Sequence, residues 1–202
     1  MSQKVLVWDA PTRVFHWVQA LCFLGAYLTS DSEKTRDLHV ALGYILFGLI
    51  AFRLLWGFLG TRYAKFSSFL FKPSQVFTYL KALFKGKAEH FVGHNPVGSV
   101  AIWLLLSLGL TLGVTGVMLM QEDVADVVVD IHAYATNAML VVVAVHLIGV
   151  FASSYLHKEN LVRAMITGFK PGVVSQGIKT TYNWLGAVML VIVVTFGFYY
   201  LR

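Results

Sequence analysis

The chain has 202 residues, of which 57% are hydrophobic and only 13% charged, and its mean hydropathy is +0.70. That balance excludes an ordinary soluble domain and points to an integral membrane protein. Lys and Arg number 16 against 10 Asp and Glu, but the basic residues fall between apolar runs, which is the pattern of membrane topology and not of nucleic-acid binding.

In chain order, the N-terminal run MSQKVLVWDAPTR is polar and lacks a small-residue cleavage site, so the first apolar segment is expected to be retained as a helix. Five segments are long and apolar enough to cross a bilayer: 14–29, 38–59, 98–120, 130–155 and 182–201. Pro11 precedes the first and suits a helix start. None alternates like a strand, and a spanning helix satisfies its own backbone, so the expected fold is all-α, one integral membrane helical bundle. Between the second and third spans, 73–85 places Val76, Phe77, Leu80, Leu83 and Phe84 at helical spacing with Lys81 and Lys85 beside them and Gly86 as a stop. This reads as an amphipathic helix lying on the membrane, its basic face attracted to anionic lipid.

Lysine and arginine set the orientation. Arg62, Lys65, Lys72, Lys81, Lys85 and Lys87 lie between spans two and three, and Lys158, Arg163, Lys170 and Lys179 between spans four and five. Both connections are therefore expected in the cytoplasm. Glu122, Asp123 and Asp126 between spans three and four, and Asp31, Glu33 and Asp37 between one and two, belong to the other side. The expectation is a multi-pass membrane protein with its N-terminus inside, in the cytoplasm, and its C-terminus outside.

The fourth span carries His132 and His146, 14 residues apart. Fourteen steps of a helix return to within about 40° of one direction and separate the rings by roughly 21 Å. Ionisable side chains inside a span are costly enough to imply function, and neutral imidazole is a common ligand of haem iron. His16, early in span one, is near the inner surface, and His39, at the start of span two, is near the outer one. Depth then pairs His16 with His146 and His39 with His132, giving two stacked haems each held by two histidines. Cys22 sits in an apolar run, and no Cys-x-x-Cys-His occurs for covalent attachment, so the haems would be non-covalent haem b.

Arg53, 14 residues after His39, falls at the inner level, where it would meet a propionate or reach lipid headgroups. Arg13 and Arg36, one turn before His16 and His39, are candidates for propionates or for interfacial anchoring. His94 and Asn95 in the run GHNPVG precede span three. Asn95 is a candidate helix cap, and the pair is a candidate for hydrogen-bonding a quinone carbonyl and exchanging its protons. Gly25, Gly43, Gly48, Gly109, Gly113, Gly116 and Gly149 lie in spans, where a missing side chain admits a neighbouring helix or a flat macrocycle.

The runs DAPTRVFHW, FRLLWGFLGTRYAKF, GHNPVG, DIHAY, HLIGV and LVRAMITGFK resemble the b-type cytochrome subunit of membrane-bound nickel-iron hydrogenases and its bacterial relatives, the cytochrome b subunit of formate dehydrogenases and the superoxide oxidases. The similarity extends through spans one to four, to about Lys170. It implies a four-helix diheme core, with the fifth span outside the matching region. It also implies His16, His39, His132 and His146 as axial ligands, and a ubiquinone or menaquinone site at His94 and Asn95. The connection Gln121 to Val129 is short for a hydrogenase subunit, and its acidic residues suit a small basic carrier such as a c-type cytochrome, or another redox subunit at the outer face.

Two axial histidines per iron leave no open coordination position, so single-electron relay is the chemistry expected, between the quinone pool and a redox partner at the periplasmic face. Association of the chain with itself is left open. Two other readings stand beside this one. A self-sufficient superoxide:quinone oxidoreductase would need a basic outer funnel, and the acidic connection opposes it. A haem-free transporter or structural bundle would use the histidines only to pair within the protein.

Overall fold

The computed structural model describes residues 3–202. In chain order it contains β1 (Gln3–Leu6), α1 (Ala10–Leu28), a 3-10 turn (Glu33–Thr35), α2 (Arg36–Leu59), α3 (Pro73–Phe84), α4 (Pro96–Met118), α5 (Asp126–Leu156), α6 (Leu161–Thr167), β2 (Phe169–Gly172) and α7 (Asn183–Tyr200). It is an all-α membrane bundle. The segments Glu33–Leu59, Pro96–Met118, Asp126–Leu156 and Asn183–Tyr200 are helical, long and apolar enough to cross a membrane. The first of the five expected spans is also a helix, starting earlier than expected at Ala10, but it falls short of that apolarity. Arg13, His16 and Gln19 interrupt its sequence. Span four likewise starts earlier, at Asp126, and the expected amphipathic helix at 73–85 is α3.

Helix starts follow local chemistry. The Asp9 carboxylate accepts from the Thr12 backbone N–H at 2.8 Å and Pro11 occupies the first turn of α1. Asn95 does the same for α4, accepting from Gly98 N–H at 2.7 Å ahead of Pro96. α6 ends at Gly168, whose φ of +87° is left-handed and whose absent Cβ would lie 2.7 Å from the Trp8 carbonyl oxygen.

Sequence reading did not anticipate the short antiparallel sheet of β1 and β2, in which Val5 faces Lys170 and Leu6 faces Phe169. Four residues each are too few to show alternation against a background of apolar helices. The sheet folds the N-terminus across the segment after α6. Val7 and Trp8 donate to the Gly168 carbonyl at 2.8 and 3.1 Å, and Ile178 donates to Leu6. Val5, Val7, Trp8, Tyr63 and Ala164 form an apolar cluster beneath it.

The bundle is built from two helix pairs. α1 packs on α2, α4 on α5, and α2 on α4, while α7 lies against α1 and α2 and α3 against α4. α5 makes no comparable contact with α1 or α2. The main core joins Cys22, Leu46, Ile50, Phe66, Phe69 and Leu106, and a smaller one joins Leu112, Ala135 and Met139 between α4 and α5. Outward side chains such as Val141, Val145, Ile148 and Phe151 on α5 and Val191, Ile192 and Val194 on α7 are exposed. A surface that apolar suits lipid, where its exposure costs nothing. Phe77 and Phe84 of α3 are also exposed, as expected of a helix resting on a membrane.

At the end of the bundle carrying the sheet, Asp9 ties these parts together. It is buried, and besides capping α1 it accepts from Trp56 Nε1 at 3.1 Å and Thr61 Oγ1 at 2.6 Å. The start of α1 is thereby fixed to the end of α2, and Ala10 N–H donates to Thr181 just before α7. Replacing Asp9 by Ala leaves three donors without an acceptor, so Asp9→Ala is expected to lower stability by about 3 kcal/mol. A thermal unfolding series in detergent, with Asp9→Asn as the milder comparison, checks this.

Candidate haem-binding cleft

α5 makes few contacts with the α1–α2 pair, and the span histidines stand between them at two levels. At the level distant from the sheet, the His39 and His132 rings are 6.4 Å apart between centroids, at 64°. Two imidazoles bound to one metal ion through ring nitrogens at about 2 Å have centroids about 6 Å apart. The tautomers are fixed by partners. His39 Nδ1 is 2.8 Å from the Ala26 carbonyl, which can only accept, so Nδ1 carries the proton. His132 Nδ1 is 2.8 Å from Thr115 Oγ1, whose own hydrogen goes to the Thr111 carbonyl at 2.7 Å. His132 therefore also donates from Nδ1, and both rings keep a lone pair on Nε2. Orientation of a ligating imidazole through its other nitrogen is the usual arrangement around a metal.

At the level nearer the sheet stand His16, early in α1, and His146, in the last third of α5. His16 Nδ1 is enclosed without a hydrogen-bond partner. Among the described residues, no group of three or more His, Cys, Asp or Glu side chains could hold a metal ion. Two histidines at each level suit a group bringing four nitrogens of its own.

Other observations fit a large flat anionic group. A Cβ at Gly43, one turn from His39, or at Gly149, one turn from His146, would meet nothing within 4 Å, although both residues are only half-exposed. These glycines border open space, whereas Gly25, Gly109 and Gly113 pack tightly against side chains of α2. Arg53 is 3% exposed, its guanidinium lies over Phe66 and Phe69, and its Nη1 is enclosed without a partner. It does not reach lipid headgroups; the buried Asp9 carboxylate lies near enough to act on its charge, and the unused donor suits an added anionic group. Arg13 donates from Nη1 to the Ile166 carbonyl at 2.6 Å, while its Nε is enclosed and unpaired. Arg36 is exposed at the head of α2.

His94 sits between the rings of Trp8 and Phe69, with centroids 4.7 and 4.8 Å away, and its Nδ1 is enclosed without a partner. Burial, then Arg53, Lys170, His146 and His16, lower His94 to about 3, so its ring is neutral at physiological pH. Asn95 caps α4 through its Oδ1, which leaves its Nδ2 donors available.

Sequence reasoning missed two side chains of the cleft region. Gln19, one turn after His16, has both amide atoms enclosed without partners. A glutamine inside an apolar run was a legible signal. Thr115 carried none, because it lies 17 residues from the histidine it orients and only the packing of α4 on α5 brings them together.

A helical membrane bundle with paired intramembrane imidazoles defines a class, the membrane cytochromes b that transfer electrons. The family model described as prokaryotic cytochrome b561 matches residues 7–168, and the chain belongs to that family, whose members carry b-type haem. Among curated proteins it is 25% identical to a probable Ni/Fe-hydrogenase B-type cytochrome subunit of Rhizobium leguminosarum bv. viciae, covering 82% of this chain and 88% of the relative. It is 23% identical to the protein of that name from Rhodobacter capsulatus, over 83% and 81%. With the probable Ni/Fe-hydrogenase 1 B-type cytochrome subunit of Escherichia coli (strain K12) the identity is 25% over 57% of this chain and 60% of the relative. No solved structure matches.

Because side chains at Gly43 and Gly149 would enter open space, Gly43→Leu and Gly149→Leu are expected to fold normally while excluding haem. Haem-to-protein ratio against circular dichroism and thermal unfolding of the same preparations checks this. Loss of fold together with haem would mean that these positions are packed.

Proposed function

We propose that the chain relays electrons across the membrane between quinone and a redox partner on the periplasmic side, holding two haems b, one by His16 and His146 and the other by His39 and His132. The observation that supports this reading is the approach of His39 to His132 at the spacing of a shared metal, beside glycines that border open space. Haem b held by two histidines takes up and gives back one electron, with no coordination position left for substrate. Ala26 and Thr115 hold the rings of His39 and His132 with Nε2 free. Arg53 and Arg13 supply unused donors and positive charge for propionates at the level nearer the sheet, and Arg36 is the candidate at the other level.

The same sheet-bearing end carries the basic connections, so we assign it to the cytoplasm, with the C-terminus periplasmic and α1 as a fifth crossing. That α1 is less apolar than the other four is consistent with its placement between α2 and α7, with His16 and Gln19 in the bundle. The quinone is assigned to the cytoplasmic level, where the neutral His94 ring and the Nδ2 donors of Asn95 can hydrogen-bond its carbonyl oxygens and move its protons. On the other side, Glu122, Asp123 and Asp126 are exposed beside the His39/His132 level and favour a basic partner such as a c-type cytochrome. The names of the relatives make the catalytic subunits of a hydrogenase the other candidate partner.

Purified protein supplied with haem is expected to contain two haems b per chain, falling to one in His16→Ala and in His39→Ala. Reduced-minus-oxidised spectra with haem stoichiometry measure this, and a folded preparation with no b-type band would sink the reading. Thr115→Val removes the acceptor that orients His132 and is expected to weaken retention of one haem by about tenfold or more, with the other unaffected. Competition of each variant for haem against an apo-haem protein gives that number.

A further inference from the structure

A second polar centre lies at the sheet-bearing end, outside the histidine-lined cleft. Lys158, with φ of +51°, turns the chain after α5 and tucks Glu159 inward. Glu159 is 8% exposed and Lys170 of β2 is 3% exposed. Glu159 Oε2 is 2.9 Å from His90 Nε2, and its Oε1 is 3.4 Å from Lys170 Nζ, which also donates to the Phe91 carbonyl at 3.2 Å. The His157 ring stands edge-on to that of His90 at 5.3 Å, with Nε2 enclosed and unpaired. Burying a carboxylate and an ammonium together is a weak route to stability, and a buried acid contributes nothing to holding this end in the cytoplasm. The cluster is the sole use of an acidic residue between α5 and α7.

Its position suggests a use. His90 and His94 line one cavity of about 740 Å³, together with Tyr63, Ser68, Gly93 and Gln176. The His90 side chain, 39% exposed, stands at the water side, and the enclosed Nδ1 of His94 lies at the inner side. Phe69, in edge contact with His94, also lines an apolar groove of about 380 Å³ with Val76, Ser99 and Trp103 between α3 and α4. His94 is thus placed between a cavity of mixed polar and apolar lining, roomy enough for a file of waters, and an apolar groove of the kind an isoprenoid quinone enters.

We propose that the cavity is the proton path of the quinone site, with the hydrogen-bonded pair of His90 and Glu159 exchanging protons with water through His90 at its mouth and His94 passing them to and from the quinone oxygens. This rests on the reading of His94 and Asn95 as the quinone contact. Reduction of one quinone takes two electrons, drawn through the chain from the one-electron redox partner, and two protons, drawn from cytoplasmic water through the cavity, so that each C=O becomes C–OH. Oxidation of a quinol returns both by the same routes. His94 releases a proton from one ring nitrogen and regains one on the other, ending neutral. Lys170 keeps Glu159 in place and compensates its charge; His157, beside His90, and Tyr63, in the cavity lining, are other ionisable groups facing this cluster.

The test uses haem-loaded protein mixed rapidly with a short-chain ubiquinol or a short-chain menaquinol, following haem reduction in H2O and D2O. Glu159→Gln and His90→Gln are expected to slow quinol-driven reduction by about tenfold or more and to enlarge the solvent isotope effect. Haem content, reduction by dithionite and quinol affinity, read from quenching of tryptophan fluorescence, should stay at wild-type values. A small weak acid such as formate should restore the rate in Glu159→Gln, which a merely structural role would not allow. Wild-type rates and isotope effects in both variants, or slowing accompanied by lost affinity and no rescue, would overturn the proton path while leaving the quinone reading standing. A wild-type protein that binds neither quinol and is reduced by neither overturns both.

Discussion

The structure depends on a constraint of packing: α5 is held along α4 and almost nowhere else. An apolar helix in a membrane gains little from burying one more apolar face against protein rather than lipid, so close approach must come from complementary small residues or hydrogen bonds. α4 supplies these to α5 through Thr115, and receives α2 against Gly109 and Gly113. Nothing equivalent draws α5 onto α1 or α2. The two pairs are therefore joined on one side only, and the histidines line the other.

That separation gives the polar groups their meaning. An enclosed imidazole nitrogen, a guanidinium with an unpaired donor and an amide with neither end paired are each unfavourable in a low-dielectric interior. His16, Arg53 and Gln19 present these along one region of the bundle. Together with the open space beside Gly43 and Gly149, they suit a group that is flat, carries anionic groups and accepts nitrogen ligands. The prokaryotic cytochrome b561 family, to which the chain belongs, carries b-type haem, a group of that kind.

At the sheet-bearing end the chain uses ordinary soluble-protein devices. A buried carboxylate at Asp9, a capped helix at Asn95 and a two-stranded sheet over an apolar cluster fix the ends of four helices relative to one another. Hydrogen bonds are directional where lipid packing is not, so this end can hold the helices in register while the middle stays apart. It also gathers His90, His94, Glu159 and Lys170 from three segments distant in sequence.

The sequence by itself determined the membrane class, the helices and the histidine levels, because apolar run length and the 1.5 Å rise of a helix are local properties. It also marked Arg53 and His94 as polar residues out of place, and the Asn95 cap followed from its position before Pro96. Only the tertiary structure decided that His39 and His132 meet at the spacing of a shared metal, and that Arg53 faces inward and not toward headgroups. It also joined Glu159 to His90 and Lys170. These facts depend on which helix packs on which and on where the chain turns at Lys158 and Gly168, and no periodicity within a single segment carries that information.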